Sequence, residues 1–304
     1  MARHRKGDAV HGWVLLDKPL GLSSAGAVAR VKRIFNANKA GHAGTLDPLA
    51  SGMLPIALGE ATKTVPFIMD GAKVYSFTAR WGAETTTDDL EGTITQTSQK
   101  RPTDAEIDAI LPQFLGTISQ LPPAFSAIKK DGVRAYELAR AGENVELEPR
   151  NVEIFALKRV DSSPDEARFE VRCGKGTYVR ALARDIARAL GTAAHVSGLR
   201  REDVGPFRRE HMILLENLAD LAHKAPGGNA ILSALHPLET ALDDIPALAL
   251  SQAHAARLLH GQTVILTGSL EIKAGTVLVT CGTKPVALAE LNGSVLEPRR
   301  VFNL

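Results

Sequence analysis

The sequence predicts an α+β fold followed by a small β-rich module, on three observations. Residues 73–81 alternate in strand fashion, helical periodicity recurs at 24–35, 103–114 and 180–190, and the pattern beyond residue 246 changes to short strand-like runs. With 304 residues, 44% hydrophobic and 23% charged, the composition excludes a disordered or collagen-like chain, and the length fits one large domain with an appendage. The expected division is 1–246 and 247–304.

Val14-Leu15-Leu16 reads as a strand, after which Ser23 or Ser24 caps a helix whose apolar positions are Val28, Val31, Ile34 and Phe35. In the 73–81 strand, Tyr75, Phe77, Ala79 and Trp81 share one face. Thr103 and Glu106 form a capping-box pattern ahead of Ile107, Ile110, Leu111 and Phe114, with Gly116 expected to end that helix. Residues 121–135 combine two prolines, a glycine and several basic side chains, and are expected to project as a loop. Strands are expected at 152–157 and 167–173, then a helix at 180–190 closed by Gly191. In it Leu182, Ile186 and Leu190 mark the buried side, and Arg180, Arg184 and Arg188 lie roughly opposite, since two helical residues subtend about 200°. Residues 210–244, broken by Pro226-Gly227-Gly228 and Pro237, read as a linker. Ser251 caps a short helix stopped by Gly261, and strands are expected at 276–281 and 285–291.

Several function classes fall away. No apolar run approaches the roughly 18 residues of a membrane-spanning helix, and the apolar stretch after the basic start is too short for a secretory signal, so no membrane is expected as partner. The two cysteines, Cys173 and Cys281, are far apart, which suggests no disulfide framework or thiolate metal site and favours a cytoplasmic location. None of the histidines forms a metal-binding cluster, so no metal is expected; no G-x-S-x-G elbow occurs, and Gly174-Lys175-Gly176 lacks nucleotide-loop spacing. The formal charge is only +2, but Lys18, Arg30, Lys32, Arg33 and Lys39 precede Leu46 without an intervening acid, a distribution suited to a polyanion or to a solvated helix face.

The densest segment is 39–55, with three glycines, two prolines, His42 and Asp47. Asp47 precedes Pro48, which biases its backbone to an extended conformation and presents its carboxylate in a defined direction. This segment, read as G-H-x-G-T-L-D-P-x-A-x-G-x-L-P, stands among three other blocks. These are Asp17-Lys18-Pro19-x-Gly21-x-Ser23-Ser24, Gly59-Glu60-Ala61-Thr62-Lys63 and Lys175-Gly176-Thr177-Tyr178-Val179-Arg180. Together, in order from residue 12 to about 207, they resemble the bacterial tRNA pseudouridine-55 synthase family.

The resemblance implies isomerisation of a T-loop uridine of tRNA to pseudouridine, without a cofactor, by a monomer. It implies a mixed, mainly antiparallel sheet with an RNA cleft, a thumb insertion over about 123–150, and a C-terminal barrel of the PUA type. The family's catalytic aspartate falls on Asp47, acting as nucleophile or through a glycal; either needs an ionised carboxylate held dry against the nucleoside. Arg180 matches the arginine that pairs with it, expected to grip it bidentately, and Asp89 an acid that holds that arginine. Thr86 stands where relatives commonly carry an aspartate, which puts the acid network in question.

Tyr75 matches the ring that stacks on the target base, a candidate to move the C5 proton, and Tyr178 a second ring of the pocket. A flipped base leaves a gap; by resemblance His42 enters it and Leu199 backs the pocket. Lys18 and Lys63 match positions near the site, either touching phosphate or bracing loops. Lys129, Lys130, Arg134 and Arg140 fall on the thumb that grips the T-stem-loop, and such contacts make binding salt-dependent. Removing the C-terminal module is expected to weaken tRNA binding more than turnover. The competing expectations are a tRNA-binding or folding protein with secondary catalysis, and a pseudouridine synthase acting on other RNAs. The intact Asp47, Arg180 and Tyr75 argue against a pure binder, and the thumb-like insertion argues against other RNAs.

Overall fold

A computed structural model of the chain describes residues 7–126, 128–130, 132–141, 147–224, 229–267 and 272–304. The first half runs through β1 (Gly12–Lys18), α1 (Ser24–Ile34), β2 (Ala40–His42), β3 (Ala50–Leu58), α2 (Val65–Asp70), β4 (Lys73–Trp81), β5 (Ala83–Thr85), β6 (Ile94–Thr97), α3 (Asp104–Ile110) and β7 (Gly116–Gln120). It continues with β8 (Lys129–Lys130), β9 (Val133–Arg134), α4 (Ala135–Arg140), β10 (Arg150–Ser162), β11 (Glu166–Cys173), α5 (Val179–Ala189), β12 (Ala194–Val204), β13 (Ile213–Leu214), α6 (Leu215–Lys224) and α7 (Asn229–Leu232). The end comprises β14 (Ala247–Ala249), α8 (Gln252–Leu259), β15 (Val264–Ile265), β16 (Gly275–Cys281), β17 (Lys284–Asn292) and β18 (Val295–Val301).

The main sheet has the order β13-β1-β3-β12-β4-β11-β10-β7, with β2 joined to β3. Only the β1–β13 and β3–β12 pairs are parallel, so the sheet is mixed and mainly antiparallel as expected. On β4 the alternation becomes burial: Phe77, Ala79 and Trp81 enter a core with Phe169, Val171, Leu182 and Ile186. Phe77 stacks on Phe169 at 5.1 Å between ring centroids. Ser23 accepts from Gly26 N to cap α1, and the Thr103–Glu106 capping box is formed. Gly116 differs from its expected role: with φ 80° it opens β7 instead of closing the helix.

Two further expectations are corrected. Residues 210–244 are not a linker, because β13 pairs with β1, Leu218 is buried against α1 and β3 residues, and Leu238 and Leu242 are buried beside Trp13. Alanine-rich amphipathic segments look detachable in sequence because their apolar stripe is short; here the edge of the main sheet covers it. The loop expected at 121–135 contains the β8–β9 hairpin and leads into α4, while residues 127, 131 and 142–146 of the thumb lie outside the described residues.

The C-terminal sheet has the order β14-β16-β17-β18-β15 around its own core of Leu258, Val277, Val279, Ala287, Ala289 and Leu296. Its Leu278 and Leu288, with Phe302, enter the cluster of Trp13, Met53, Ala57 and Ala61 from the main body.

Candidate active site

The site begins with a loop that cannot be regular. Between β2 and β3, residues 43–49 carry Gly44 at φ 96°, and β3 contains Gly52 at φ 94°, positions that side chains disfavour. A Cβ on Gly52 would lie 2.2 Å from the Arg201 carbonyl oxygen, so β12 and the start of β3 approach through a glycine. The first sequence block brackets this loop. Ser24 Oγ donates to Leu46 O and accepts from Leu46 N, both at 2.8 Å. Gly21 N donates to Pro48 O at 2.8 Å, and Lys18 Nζ donates to Leu22 O at 2.8 Å and reaches Pro48 O at 3.5 Å. Asp17 receives Arg200 bidentately at 2.9 and 2.8 Å.

Asp47 is thereby aimed at Arg180, the second residue of α5: Nη2 lies 2.8 Å from Asp47 Oδ2. Arg180 is 6% exposed, and its guanidinium does not fork onto Asp47 alone. Its Nη1 sits 3.3 Å from Asp89 Oδ2 and donates to Thr87 O at 2.6 Å, while Nη2 also donates to Phe125 O at 3.0 Å. The bidentate expectation is therefore corrected to a bridge between two carboxylates. The Asp47 side chain is 44% exposed, so in the free protein it is not dry; a bound nucleoside has to complete its enclosure.

Of the arginines opposite the apolar stripe of α5, Arg180 and Arg184 are buried and only Arg188 is exposed, and all three meet acids. Arg184 Nη1 meets Asp88 Oδ2 at 2.8 Å and Nη2 donates to Leu121 O, and Arg188 grips Glu84 at 2.8 and 2.7 Å. With Arg180–Asp89, the helix and the 84–89 segment form a ladder repeating every four residues. Asp88 adopts φ 58°, and burial pushes its carboxyl up to about 6 against the opposing pull of Arg184. Thr86 is exposed, its hydroxyl accepting Thr93 N at 3.2 Å. The ladder is complete without an acid at 86, so Thr86→Asp should change the rate by less than about twofold, the range of ordinary surface substitutions; a single-turnover assay checks this.

Two cavities meet at Asp47. One, of about 450 Å³, is lined by Asp47, Tyr75, Tyr178, Arg180, Leu199 and Arg201. The other, of about 410 Å³, has Leu20, Asp47, Asp89, Leu90, Arg180 and Leu199 on its walls. Both are within the size range of small-ligand sites. Burial pushes the phenols of Tyr75 and Tyr178 up, opposed by Arg201 beside the first and by the Ser126 hydroxyl beside the second. Tyr178 is placed by its backbone N–H, which donates to Gln120 Oε1 at 2.9 Å. His42, half-buried, ends β2 on the same loop, and Leu199 opposes Phe77 and Ala50 in register.

The two lysines have bracing positions. Lys18 is wholly buried and its amine, lowered to about 8 by burial, meets only backbone carbonyls. It holds the Asp47 loop and presents no charge to a phosphate. Lys63 Nζ binds Glu60 and donates to Val301 O at 2.6 Å, and Glu60 Oε2 accepts Asn303 N at 2.9 Å. The third block thus locks the C-terminal sheet to the body, and Lys63 takes the bracing position of the two expected for it. Lys63→Met should lower stability by about 1–2 kcal/mol through the lost donor, seen as a lower Tm with tRNA affinity unchanged. A weaker tRNA Kd at unchanged Tm would instead give Lys63 a substrate role.

Lys129, Lys130, Arg134 and Arg140 lie on β8, β9 and α4, but their side chains are outside the described residues. Arg30, Lys32, Arg33 and Lys39 are exposed on and after α1. Sequence reasoning missed Ser24 as a clamp, Arg184–Asp88 as a pair, and Arg201; the signal available was their place within or beside the recognised blocks. Among the described residues no helix is long and apolar enough to cross a membrane, and no His, Cys, Asp and Glu group is arranged to hold a metal.

Residues 32–179 match the model of the TruB family pseudouridylate synthase N-terminal domain. Residues 180–243 match the tRNA pseudouridylate synthase B C-terminal domain, and 246–302 the pseudouridine synthase II TruB C-terminal model. The chain is 59% identical to tRNA pseudouridine synthase B of Bradyrhizobium diazoefficiens, over 97% of this chain and 86% of that one. It is 54% identical to the Caulobacter vibrioides protein of the same name over the whole of both. Among solved structures it is similar to a chain of a Cbf5-Nop10-Gar1 complex, with TM-score 0.76 and 28% identity over 96% of this chain and 85% of that one. On these matches, the chain belongs to the TruB family of pseudouridylate synthases.

Proposed function

We propose that the protein is a tRNA pseudouridine synthase that isomerises uridine 55 of the T-loop. The observation that carries this reading is the Asp47 carboxylate, fixed by Arg180 at the junction of two cavities with Tyr75 and Tyr178 beside it. A protein that only bound or refolded tRNA would have no use for a buried arginine spent on a half-open carboxylate.

In this reading the flipped uridine enters the 450 Å³ cavity, stacks on Tyr75 and is backed by Leu199 and Tyr178, and His42 fills the gap left in the loop. Asp47 attacks C1′ or assists departure of the base, Arg180 keeps it aimed, and Asp89 holds Arg180. Because burial raises the Tyr75 phenol, its hydroxyl is protonated near neutral pH and serves as a proton relay once another group receives the C5 proton. Lys129, Lys130, Arg134 and Arg140 of the thumb and the exposed cations of α1 contact phosphates of the T-stem-loop. The C-terminal module, residues 247–304 and PUA-like in its small sheet, extends that contact. The protein acts as a cytosolic monomer.

The test is incubation with an unmodified tRNA transcript, followed by carbodiimide primer extension at the T-loop. A stop one nucleotide before position 55 that depends on the protein is the expected result; a transcript left unmodified, or modified only elsewhere, overturns the reading. Because Leu278, Leu288 and Phe302 share a core with the body, the module's contribution to binding is measured by substituting its exposed cations rather than by deleting it.

A further inference from the structure

Among the described residues, three cations beside the Asp47 loop, Lys18, Lys73 and Arg201, have no carboxylate within ion-pair distance. Arg201 on β12 is 1% exposed, yet among the described residues no carboxylate lies within ion-pair distance of it. Its donors meet main-chain oxygens instead: Nε reaches Met53 O at 2.8 Å, Nη2 Gly44 O at 3.0 Å and Nη1 Thr45 O at 3.5 Å. Lys18 and Lys73 are also buried and also held by carbonyls, Lys73 by Met69 O and Gly71 O. Both amines are lowered to about 8, chiefly by burial; Arg201 lowers both further, while Asp47 pulls Lys18 and Asp70 pulls Lys73 the other way. Arg180, by contrast, is offset by Asp47 and Asp89.

Leaving a buried ion without a counter-ion costs several kcal/mol. Holding a loop does not require that cost, because neutral donors bond carbonyls as well. Arg201 is the register partner of Tyr75 across β4 and β12 and lines the cavity with Asp47, Tyr75 and Tyr178. Its charge is therefore fixed on the wall of the cavity that Asp47 also lines.

We propose that Arg201 is an electrostatic and positioning residue of the isomerisation: anchored by the carbonyls of the Asp47 loop, its guanidinium stabilises the negative charge that gathers on the uracil while the base is detached from the ribose. This rests on the pseudouridine synthase reading above. The C1′–N1 bond breaks with its electron pair passing to uracil, spread over N1 and the two carbonyl oxygens. C1′ is meanwhile joined to Asp47, or C2′ gives up a proton that it later regains. The base turns and C5 supplies the electron pair of the new C1′–C5 bond as the Asp47–C1′ bond breaks and returns its pair to the carboxylate, or as C2′ regains its proton; the C5 proton then leaves and N1 takes one up. Reactant and product are isomers, and the anionic interval between the two bonds is where a preorganised cation lowers the barrier.

The test compares Arg201→Met and Arg201→Lys with the unaltered enzyme in single-turnover reactions, enzyme in excess. One tRNA transcript carries uridine and the other 5-fluorouridine, whose electron-withdrawing fluorine stabilises the base anion without help. Loss of the N-linked nucleoside is followed by chromatography after nuclease digestion. Arg201→Met should slow the uridine reaction by about 100-fold, the scale of one lost preorganised donor, but the fluorouridine reaction by less than about tenfold. Arg201→Lys should fall between, with tRNA Kd changed less than about threefold in both variants. Equal slowing on the two bases would show that the residue only shapes the loop and overturns the proposal. A rate restored by raising the enzyme concentration, or unaffected in both variants, overturns it too. Should Arg201→Met fail to fold, the two-substrate ratio of Arg201→Lys decides in the same way. An unaltered enzyme inactive on both transcripts would instead refute the functional reading.

Discussion

Asp47→Ala yields no pseudouridine in a single-turnover reaction followed for hours, while its tRNA Kd stays within about 1 kcal/mol of the parent's, because a catalytic group contributes to the transition state and little to ground-state binding. The structure makes the substitution clean. Asp47 is half-open and contributes one contact to Arg180, which keeps Asp89, Thr87 O and Phe125 O when the carboxylate is gone. Folding stability should therefore change by less than about 1 kcal/mol, the range for an exposed ion pair. Asp47→Asn preserves shape and removes charge, and should be equally inactive. Primer extension and filter binding on the same preparations check both halves, and residual multiple turnover in either variant would remove Asp47 from the chemistry.

Arg180→Met differs in kind, because it damages fold and catalysis together. The guanidinium is the common partner of two carboxylates and two carbonyls in a nearly closed space. Its removal strands Asp89, which is 8% exposed. Breaking a buried pair by deleting one partner costs about 3–5 kcal/mol. Turnover should fall by about 10³-fold, since Asp47 loses both its aim and its counter-charge, an effect on the scale of a lost preorganised electrostatic partner. The two losses separate in the double variant Arg180→Met with Asp89→Asn. Having no stranded charge, it should recover part of the unfolding free energy in urea titration and none of the activity. Recovery of activity along with stability would mean that Arg180 serves only the fold.

The α5 ladder explains why one residue carries so much. Its arginines at 180, 184 and 188 were legible as a row, and helical geometry put them opposite Leu182, Ile186 and Leu190. Whether that row faced solvent, RNA or protein could not be read, because the acids that answer it, Glu84, Asp88 and Asp89, lie about a hundred residues away. Lys18 and Lys63 were visible only as basic residues in recognised blocks. That one is sealed beneath the Asp47 loop and the other holds the carbonyl of Val301 depends on which strand ends meet.

By itself, the sequence determined what local chemistry can encode: the alternation of β4, the caps of α1, α3 and α8, the glycine-and-proline loop that presents Asp47, and the order of blocks that marks the family. Tertiary structure alone decided which charges are neutralised and which are left over. Arg180 became a bridge and Arg201 an unpaired cation because burial and partnership are set by long-range strand pairing, and the same guanidinium is a solvated tail or a fixed field according to what closes around it.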